Sequence, residues 1–319
     1  MEHPAFVLTG LGSWNRFDRR TVMCRRRHSC SRLVRVTSST LSWKWEGRAA
    51  LAGAVVTQVA GWMVPVVAHY LRWGGSEAWD VLGTDFESHF VMMAATTGFG
   101  VLHSGLASLR PWVAPRIGER GFRILFALFS LPSAVGTIAY FITHRYDGMT
   151  LWQLHTVPGM HDLIVIGTTI SFLLLYPATF NLLEVAAIKK PTFRIYEEGI
   201  MRITRHPQLW GQVLWCITHT LWIGSTLTLT ASLGLISHHF FGAWNGDRRL
   251  RDRYGEEWEK FASRTSLIPF QAILEGRQKL EPLEFFRPAY LGVLGFVYLA
   301  YISHPAILGL VGYHGQFGG

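Results

Sequence analysis

The feature that most constrains this chain is a series of apolar stretches, each close in length to a membrane-spanning helix. They fall at about residues 49–71, 89–108, 124–142, 162–183, 207–241 and 289–311. A helix needs roughly 20 apolar residues to cross the hydrocarbon core of a bilayer. Charged residues make up only 16% of the chain, against about 25% in ordinary soluble domains. The sequence therefore predicts an all-α, polytopic bundle of membrane helices.

The fifth apolar stretch is too long for one ordinary span. It contains WIGSTLTLT, in which Gly224 and Ser225 are residue types that favour a turn. Read as a helical hairpin, it raises the number of spans to about seven. Basic and acidic loops then lie on opposite faces, as the positive-inside tendency requires. The basic loops are residues 110–123, 189–205 and 246–264, and the acidic loops are 72–88 and 144–162.

The first 45 residues differ in character from the rest. They hold nine of the 30 Lys and Arg residues but only two of the 21 acids, with many Ser and Thr and no sustained apolar segment. Such a segment is typical of organelle transit peptides, and a disordered basic tail is the alternative. We predict a transit peptide at residues 1–45 and a membrane domain at 46–319. Because the basic excess lies mainly in the leader, the net charge of +9 does not indicate a nucleic-acid partner.

Three residues within the apolar stretches are candidates for metal chemistry. The run RITRHPQLWGQVLWCITHTLWIG contains Cys216 and His219, and VLHSGLASLR contains His103. Cys216 and His219 are three positions apart, so they share one helix face. A thiolate and an imidazole together suit a transition metal, haem iron in particular. His103 and one of the other two would then be its axial ligands. For each residue alone, the alternative is a hydrogen-bonded histidine or a packed thiol.

A cationic turn precedes the fifth apolar stretch. Pro207 suits the first turn of a helix, which places Arg205 and His206 at the membrane surface. Arg205 is either an interfacial anchor or a partner for a haem propionate, since Arg binds carboxylates in a bidentate manner. Further on, DRRLRDRYGEEWEKF predicts an amphipathic surface helix, then Tyr254-Gly255 and a second acidic-aromatic turn.

Several of these runs resemble the zeta-carotene isomerases of plastids, a branch of the NnrU-like membrane family. The resemblance covers residues from about 89 to 305 and includes RITRHPQLWGQVLWCITHTLWIG, LISHHFFGAWNGDRRL, RTSLIPFQAILEGRQKL and FLLLYPATFNLLEVAA. It implies a plastid-membrane enzyme with haem b that converts 9,15,9'-tri-cis-zeta-carotene to 9,9'-di-cis-zeta-carotene. It also implies axial ligands at His103 and His219, an alternative ligand at Cys216, and an electron donor that reduces the iron.

Two other classes of function remain open at this point. The pattern R-H-P-x-x-x-G, followed by L-x-x-x-Y-G-x-x-W-x-x-F, is similar to membrane methyltransferases of the isoprenylcysteine and phospholipid types. In those enzymes the Arg-His-Pro turn and the acidic-aromatic helix help to hold S-adenosylmethionine, so the resemblance implies such a site in this chain. The third possibility is a haem sensor or electron carrier without enzymatic activity. An absorption spectrum separates the haem proteins from the methyltransferase, and feeding the tri-cis carotene separates the isomerase from the sensor.

Overall fold

The structure is a computed structural model that describes residues 30–73, 84–176, 197–286 and 288–310. The chain divides into two compact units, residues 1–39 and 40–319, and all the sites discussed below belong to the second. Residues 1–29, most of the predicted transit peptide, lie outside the described residues. That leader and its boundary at residue 45 therefore stay a prediction.

The described residues confirm the all-α class: they contain no strand, and their β pairing is one isolated bridge between Thr150 and Ser225. The longer helices are α1 Cys30–Trp73, α2 Thr84–Gly100, α3 Arg110–His144, α4 Met160–Leu175, α5 Pro207–Ile223, α6 Thr226–Tyr254, α7 Glu256–Arg264 and α8 Pro288–Leu310. A π-helical turn, Val101–Gly105, and a short turn, Leu106–Ser108, continue α2. Other short helical turns are Leu154–Thr156, Ile200–Ile203, Gln271–Leu274 and Pro282–Phe285.

Four helical segments within the described ranges are long and apolar enough to cross a membrane. They are Trp45–Arg72, Phe86–Ser108, Arg110–His144 and Pro288–Leu310. They match the first, second, third and last of the predicted apolar stretches. Met160–Leu175 is apolar but shorter, and residues 177–183 of its predicted span lie outside the described residues. The third segment is interrupted at Gly118, whose backbone is not helical (φ 78°, ψ 158°).

The predicted turn at Gly224 and Ser225 is confirmed. Gly224 ends α5 in the left-handed conformation (φ 70°), and a Cβ there would lie 2.2 Å from the carbonyl oxygen of Trp152. Only glycine fits such a position without strain. Ser225 then caps α6, its Oγ accepting a hydrogen bond from the amide of Thr228 at 3.0 Å. The two residues thus separate α5 from α6 and start the hairpin.

Small residues allow close packing around this hairpin. Ser171 on α4 donates a hydrogen bond to the carbonyl of Gly211 on α5 at 2.7 Å, and a Cβ on Gly211 would lie 2.8 Å from the carbonyl of Ser171. On α6, a Cβ on Gly234 would lie 2.5 Å from Thr96 Oγ1 of α2. Small side chains let helix backbones approach closely within membranes. Helix α6 therefore packs against α2 as well as α5.

The segment after the hairpin differs from the prediction in one respect. The basic run at residues 247–254 is not a separate surface helix, because α6 continues through it to Tyr254. Gly255 (φ 52°) separates α6 from α7. On α7, Trp258 and Phe261 are buried and contact Met201, Leu250 and Tyr254. This apolar cluster packs against the C-terminal end of α6, so the helix continues beyond its apolar N-terminal part to Tyr254.

Candidate functional site

His103 lies in the π-helical turn Val101–Gly105. Such turns add a residue to a helix and occur frequently at functional sites. Its Nδ1 is 2.7 Å from Ser130 Oγ of α3, and its ring contacts the rings of Phe99 and Phe126. A metal-binding histidine commonly has its second ring nitrogen held by a hydrogen bond of this kind. With Nδ1 engaged, Nε2 of His103 is the nitrogen suited to bind a ligand.

A second histidine, which the sequence analysis did not single out, meets His103 from α6. The ring centroids of His103 and His238 are 5.5 Å apart, with an interplanar angle of 81°. His238 Nδ1 is buried and has no hydrogen-bond partner among the described residues. His239 adjoins it, with ring centroids 5.4 Å apart. The only sequence signal was the His-His pair in LISHHFFGAW, which does not show that His238 meets a residue 135 positions earlier.

His219 lies on α5 with its tautomer set by the backbone. Its Nδ1 is 2.9 Å from the carbonyl oxygen of Trp215, and its ring stacks on the Trp215 ring at 3.7 Å. A carbonyl only accepts hydrogen bonds, so Nδ1 must carry the proton. The lone pair of the neutral ring is then on Nε2, the form that binds a metal.

Cys216 lies one turn before His219 and is 1% exposed. Its Sγ accepts a long hydrogen bond from Gln212 Nε2 at 3.5 Å. Ser232 of α6 lies beside it, with Oγ 3.5 Å from the carbonyl oxygen of Cys216. Nothing in these contacts requires a thiolate, and a packed thiol fits them as well.

The structure brings Cys216 and His219 together on α5. His103, in the turn after α2, contacts α6 at a different level from Cys216. Cys216 is level with Ser232, whereas His103 is level with His238. These two α6 residues are six positions apart, which corresponds to about 9 Å along a helix axis. Among the described residues, no group of three or more His, Cys, Asp or Glu side chains is arranged to hold a metal ion. An axial haem site needs only two such ligands.

Arg205 lies in a buried ionic cluster rather than at an open surface. Its Nη1 donates to Glu46 Oε2 at 2.5 Å, and its Nε to Asp247 Oδ2 at 3.0 Å. The side chains of Arg205 and Glu46 are each 1% exposed. The amide of Leu267 also donates to Glu46 Oε2, at 3.0 Å. The cluster therefore ties the start of the apolar span in α1 to the start of α5 and to the last third of α6.

His206 completes the cluster from the other side of Asp247, with Nε2 3.0 Å from Asp247 Oδ1. Burial alone would raise the pKa of Asp247, but the neighbouring His206 and Arg205 side chains lower it to about 2. The carboxylate is therefore ionised at neutral pH. The sequence analysis identified the cationic turn, but it missed Glu46 and Asp247, because an ion pair across 159 residues leaves no local pattern.

The fold and these buried residues define a class first: an all-helical protein with several helices of membrane-spanning length and histidines between them. The chain belongs to the family described as NnrU protein, whose profile matches residues 91–311. That range includes His103, Arg205, Cys216, His219 and His238.

Two curated plant proteins show extensive similarity. The chain is 58% identical over 214 residues to "15-cis-zeta-carotene isomerase, chloroplastic" of Arabidopsis thaliana, covering 66% of this chain and 58% of that protein. It is 54% identical over 235 residues to the Zea mays protein of the same name, covering 72% of this chain and 64% of that protein. The chain thus spans about three fifths of the length of these relatives. No solved structure shows significant similarity.

Proposed function

We propose that the chain is a 15-cis-zeta-carotene isomerase of plastid membranes, which converts 9,15,9'-tri-cis-zeta-carotene to the 9,9'-di-cis form. The observation that supports this is the identity of 58% and 54% with two chloroplast proteins of that name. Bacterial cells that accumulate the tri-cis carotene provide the test. Expression of the chain should convert the pool to the di-cis isomer in darkness, whereas an unchanged isomer ratio with the protein present in the membrane would contradict the proposal.

Haem b is the cofactor we propose for this activity, and the donor set fits it. His103 and His219 each have Nδ1 engaged, which leaves Nε2 for iron. His238 adds an imidazole whose Nδ1 is buried and has no hydrogen-bond partner in the described part of the chain. When bound and reduced, haem would supply a metal centre able to polarise the polyene. An electron donor in the plastid membrane would keep the iron reduced.

In this account the residues of the chain orient the ligands and exclude water. The Trp215 carbonyl holds His219 in one tautomer, and Ser130 holds the ring of His103. Cys216 is proposed as the alternative ligand on the same face as His219. Ligation by both His103 and His219 requires the chain to reduce the offset of about 9 Å, measured along α6, between the level of Cys216 and the level of His103. If it does not close, His238 is the histidine placed to act with His103.

The substrate is a hydrocarbon without a polar group, so we propose that it enters from the lipid. Large apolar side chains are exposed along the spans, among them Val101, Leu128, Phe129 and Leu131. Val101 adjoins the His103 turn, and Leu128, Phe129 and Leu131 flank Ser130. A polyene in the acyl region can reach this face without crossing a polar barrier. Recognition then depends on shape and apolar contact.

Contacts at the helix ends support seven spans rather than four. Given the four apolar spans, Glu46 and residue 109 lie on one face of the membrane, and residue 145 on the other. Arg205 pairs with Glu46, which supports another crossing between residue 145 and α5. The amide of Leu151 donates to the carbonyl of Gly224 at 2.6 Å, which supports a crossing by α5. Asp247 pairs with Arg205, which supports a return crossing by α6 and makes α8 the proposed seventh span.

The role of Arg205 in binding a haem propionate stays a prediction, and the structure supports a structural role for this arginine. Its Nε and Nη1 already donate to carboxylates, so a propionate would have to compete for the guanidinium. The same contacts account for the R-H-P turn without S-adenosylmethionine, because both Arg205 and His206 are paired with Asp247. The methyltransferase alternative therefore has no observation that favours it. A haem sensor remains distinguishable by the carotene-feeding experiment.

A further inference from the structure

A cavity of about 360 Å³ lies beside the ionic cluster, at the end of α6. Three arginines, two tryptophans and one aspartate line it: Arg48, Arg248, Arg251, Trp244, Trp258 and Asp247. The start of the apolar span in α1, the end of α6 and helix α7 thus border one space. Neither the haem ligands nor the hydrophobic face for the polyene extends into it.

The charge of this cavity is unbalanced. Asp247 is its one acidic residue, and that carboxylate is already paired with Arg205 and His206. Among the described residues, Arg48 and Arg248 form no ion pair; Arg248 Nη2 donates to Asn245 Oδ1 at 3.1 Å and its guanidinium lies over the Trp244 ring. A cavity with uncompensated cations is suited to an anion.

Positive charge is concentrated around the same end of α6. Burial, and then three neighbouring arginines, lower the pKa of Arg249. Those neighbours are Arg110, Arg248 and Arg253. Like charges this close raise the free energy of the folded state, and an anion placed among them lowers it again.

The position of the cavity indicates where the anion comes from. Arg48 lies three residues inside the candidate span Trp45–Arg72 and is exposed. Trp244 and Trp258 also line the cavity, and tryptophan is enriched at the level of lipid head groups. Basic pockets between membrane helices bind the head groups of anionic lipids. A lipid fits this place better than a soluble anion, because its acyl chains can remain in the bilayer beside α1.

We propose that this cavity binds the phosphate or sulfonate group of an anionic membrane lipid, held by Arg48 and Arg248. The lipid would connect α1 to the basic end of α6, next to the ionic cluster that joins the same helices. The proposal does not depend on the isomerase activity or on haem.

Thermal unfolding of the purified chain in a neutral detergent, titrated with lipid, tests this. Phosphatidylglycerol should raise the unfolding temperature in a saturable manner, and phosphatidylcholine should have little effect. Arg48→Gln with Arg248→Gln should raise the half-saturating phosphatidylglycerol concentration at least tenfold. Both arginines are exposed, so the variant is expected to fold. Arg120→Gln removes an exposed arginine outside the cavity and should stay within twofold of the wild type.

Three results would overturn the proposal. The first is equal dependence on phosphatidylglycerol in the wild type and the double variant, or equal weakening in Arg120→Gln, which would mean general surface attraction. The second is full stabilisation by inorganic phosphate alone, which would assign the cavity to a soluble anion. The third is loss of bound haem in the double variant with lipid binding unchanged, which would assign the arginines to a haem propionate.

Discussion

Individual polar side chains within apolar helices distinguish this chain from an ordinary apolar helical bundle. His103, Cys216 and His219 lie among apolar residues, where an unpaired polar group costs several kcal/mol. The structure gives each a hydrogen-bond contact, and those at Nδ1 of the two histidines leave their Nε2 atoms available to a metal. Their chemistry was evident from residue type alone. Which of them meet was not, because distance across the bundle depends on helix packing.

Haem content distinguishes the two possible ligand pairs. We expect His103→Ala and His219→Ala each to lose most of the bound haem, because each removes one of the two proposed ligands. His238→Ala should retain haem, since its ring then only packs beside His103. Haem per protein, measured from the pyridine haemochrome spectrum, is the readout. If His238→Ala loses haem while His219→Ala keeps it, the ligands are His103 and His238.

Replacement of Cys216 tests the proposed change of ligand. Cys216→Ala should retain haem because two histidines remain, yet lose any thiolate-ligated low-spin signal of the ferric protein. Electron paramagnetic resonance of the oxidised wild type and variant makes this comparison. Identical ferric spectra in the two proteins would show that Cys216 only packs in the core, as its contacts with Gln212 and Ser232 also allow.

The ionic cluster should make the fold sensitive to acid. The pKa of Asp247 is lowered to about 2 from an ordinary value of 3.8. Its charge therefore stabilises the folded state above about pH 4, and this contribution disappears as the pH falls towards 2. The unfolding temperature should drop across this window. Asp247→Asn should be less stable at neutral pH and show a shallower drop; an equal drop in both would mean that other carboxylates cause it.

Replacement of Arg205, the central cation of the ionic cluster, should lower the stability of the fold more than replacement of a surface arginine. Arg205→Gln leaves Glu46 and Asp247 buried without their shared partner, and breaking a buried pair in this way costs about 3–5 kcal/mol. Arg120→Gln is the matched control at an exposed position. A small change in unfolding temperature for Arg205→Gln, comparable to the control, would contradict a structural role for the cluster.

Among the helices and turns, the predictions that depend on local residue type agree with the structure. The extent of α6, which depends on packing against distant residues, does not. Four of the predicted spans match apolar helices of sufficient length, and the Gly224–Ser225 turn was located from residue type. The extension of α6 to Tyr254 was missed because polarity suggested a separate surface helix. Its polar end is stabilised by Trp258 and Phe261 of α7 and by ion pairs to distant residues, which no local pattern shows.

The hairpin turn gives a prediction at this scale. Gly224→Ala forces a side chain onto a left-handed residue and against the Trp152 carbonyl, so it should destabilise the fold by roughly 2 kcal/mol or more. Gly242→Ala is the matched control within α6, where a Cβ meets nothing within 4 Å and alanine favours the helix. Unfolding temperatures in detergent provide the comparison. Equal values for the two variants would contradict the tight turn.

At the scale of the whole molecule, the helix ends fall into two groups at opposite ends of the bundle. The Glu46–Arg205–Asp247 cluster joins one set, and the contacts of residues 149–151 with 224–226 join the other. Helix α5, with 17 residues, separates them by about 25 Å, close to the thickness of a bilayer core. The charge pattern of the loops predicted the same grouping.

Membrane topology follows from this grouping and is open to direct measurement. In a variant without the native cysteines, single cysteines at Gln208 and Lys260 should react with an impermeant reagent from one side of the membrane. Single cysteines at Val157 and Asp162 should react only from the other side. These positions are exposed on the structure. If Gln208 and Val157 become labelled from the same side, seven spans are wrong.

Product analysis with the purified chain in liposomes that contain 9,15,9'-tri-cis-zeta-carotene tests the proposed isomerase activity most directly. We expect the reduced protein to form the 9,9'-di-cis isomer in darkness after addition of dithionite. The oxidised protein should form little product, and His103→Ala should form none. Formation of no di-cis product by reduced protein loaded with haem would contradict the assignment as a carotene isomerase. Equal conversion by wild type and His103→Ala would contradict the proposed site.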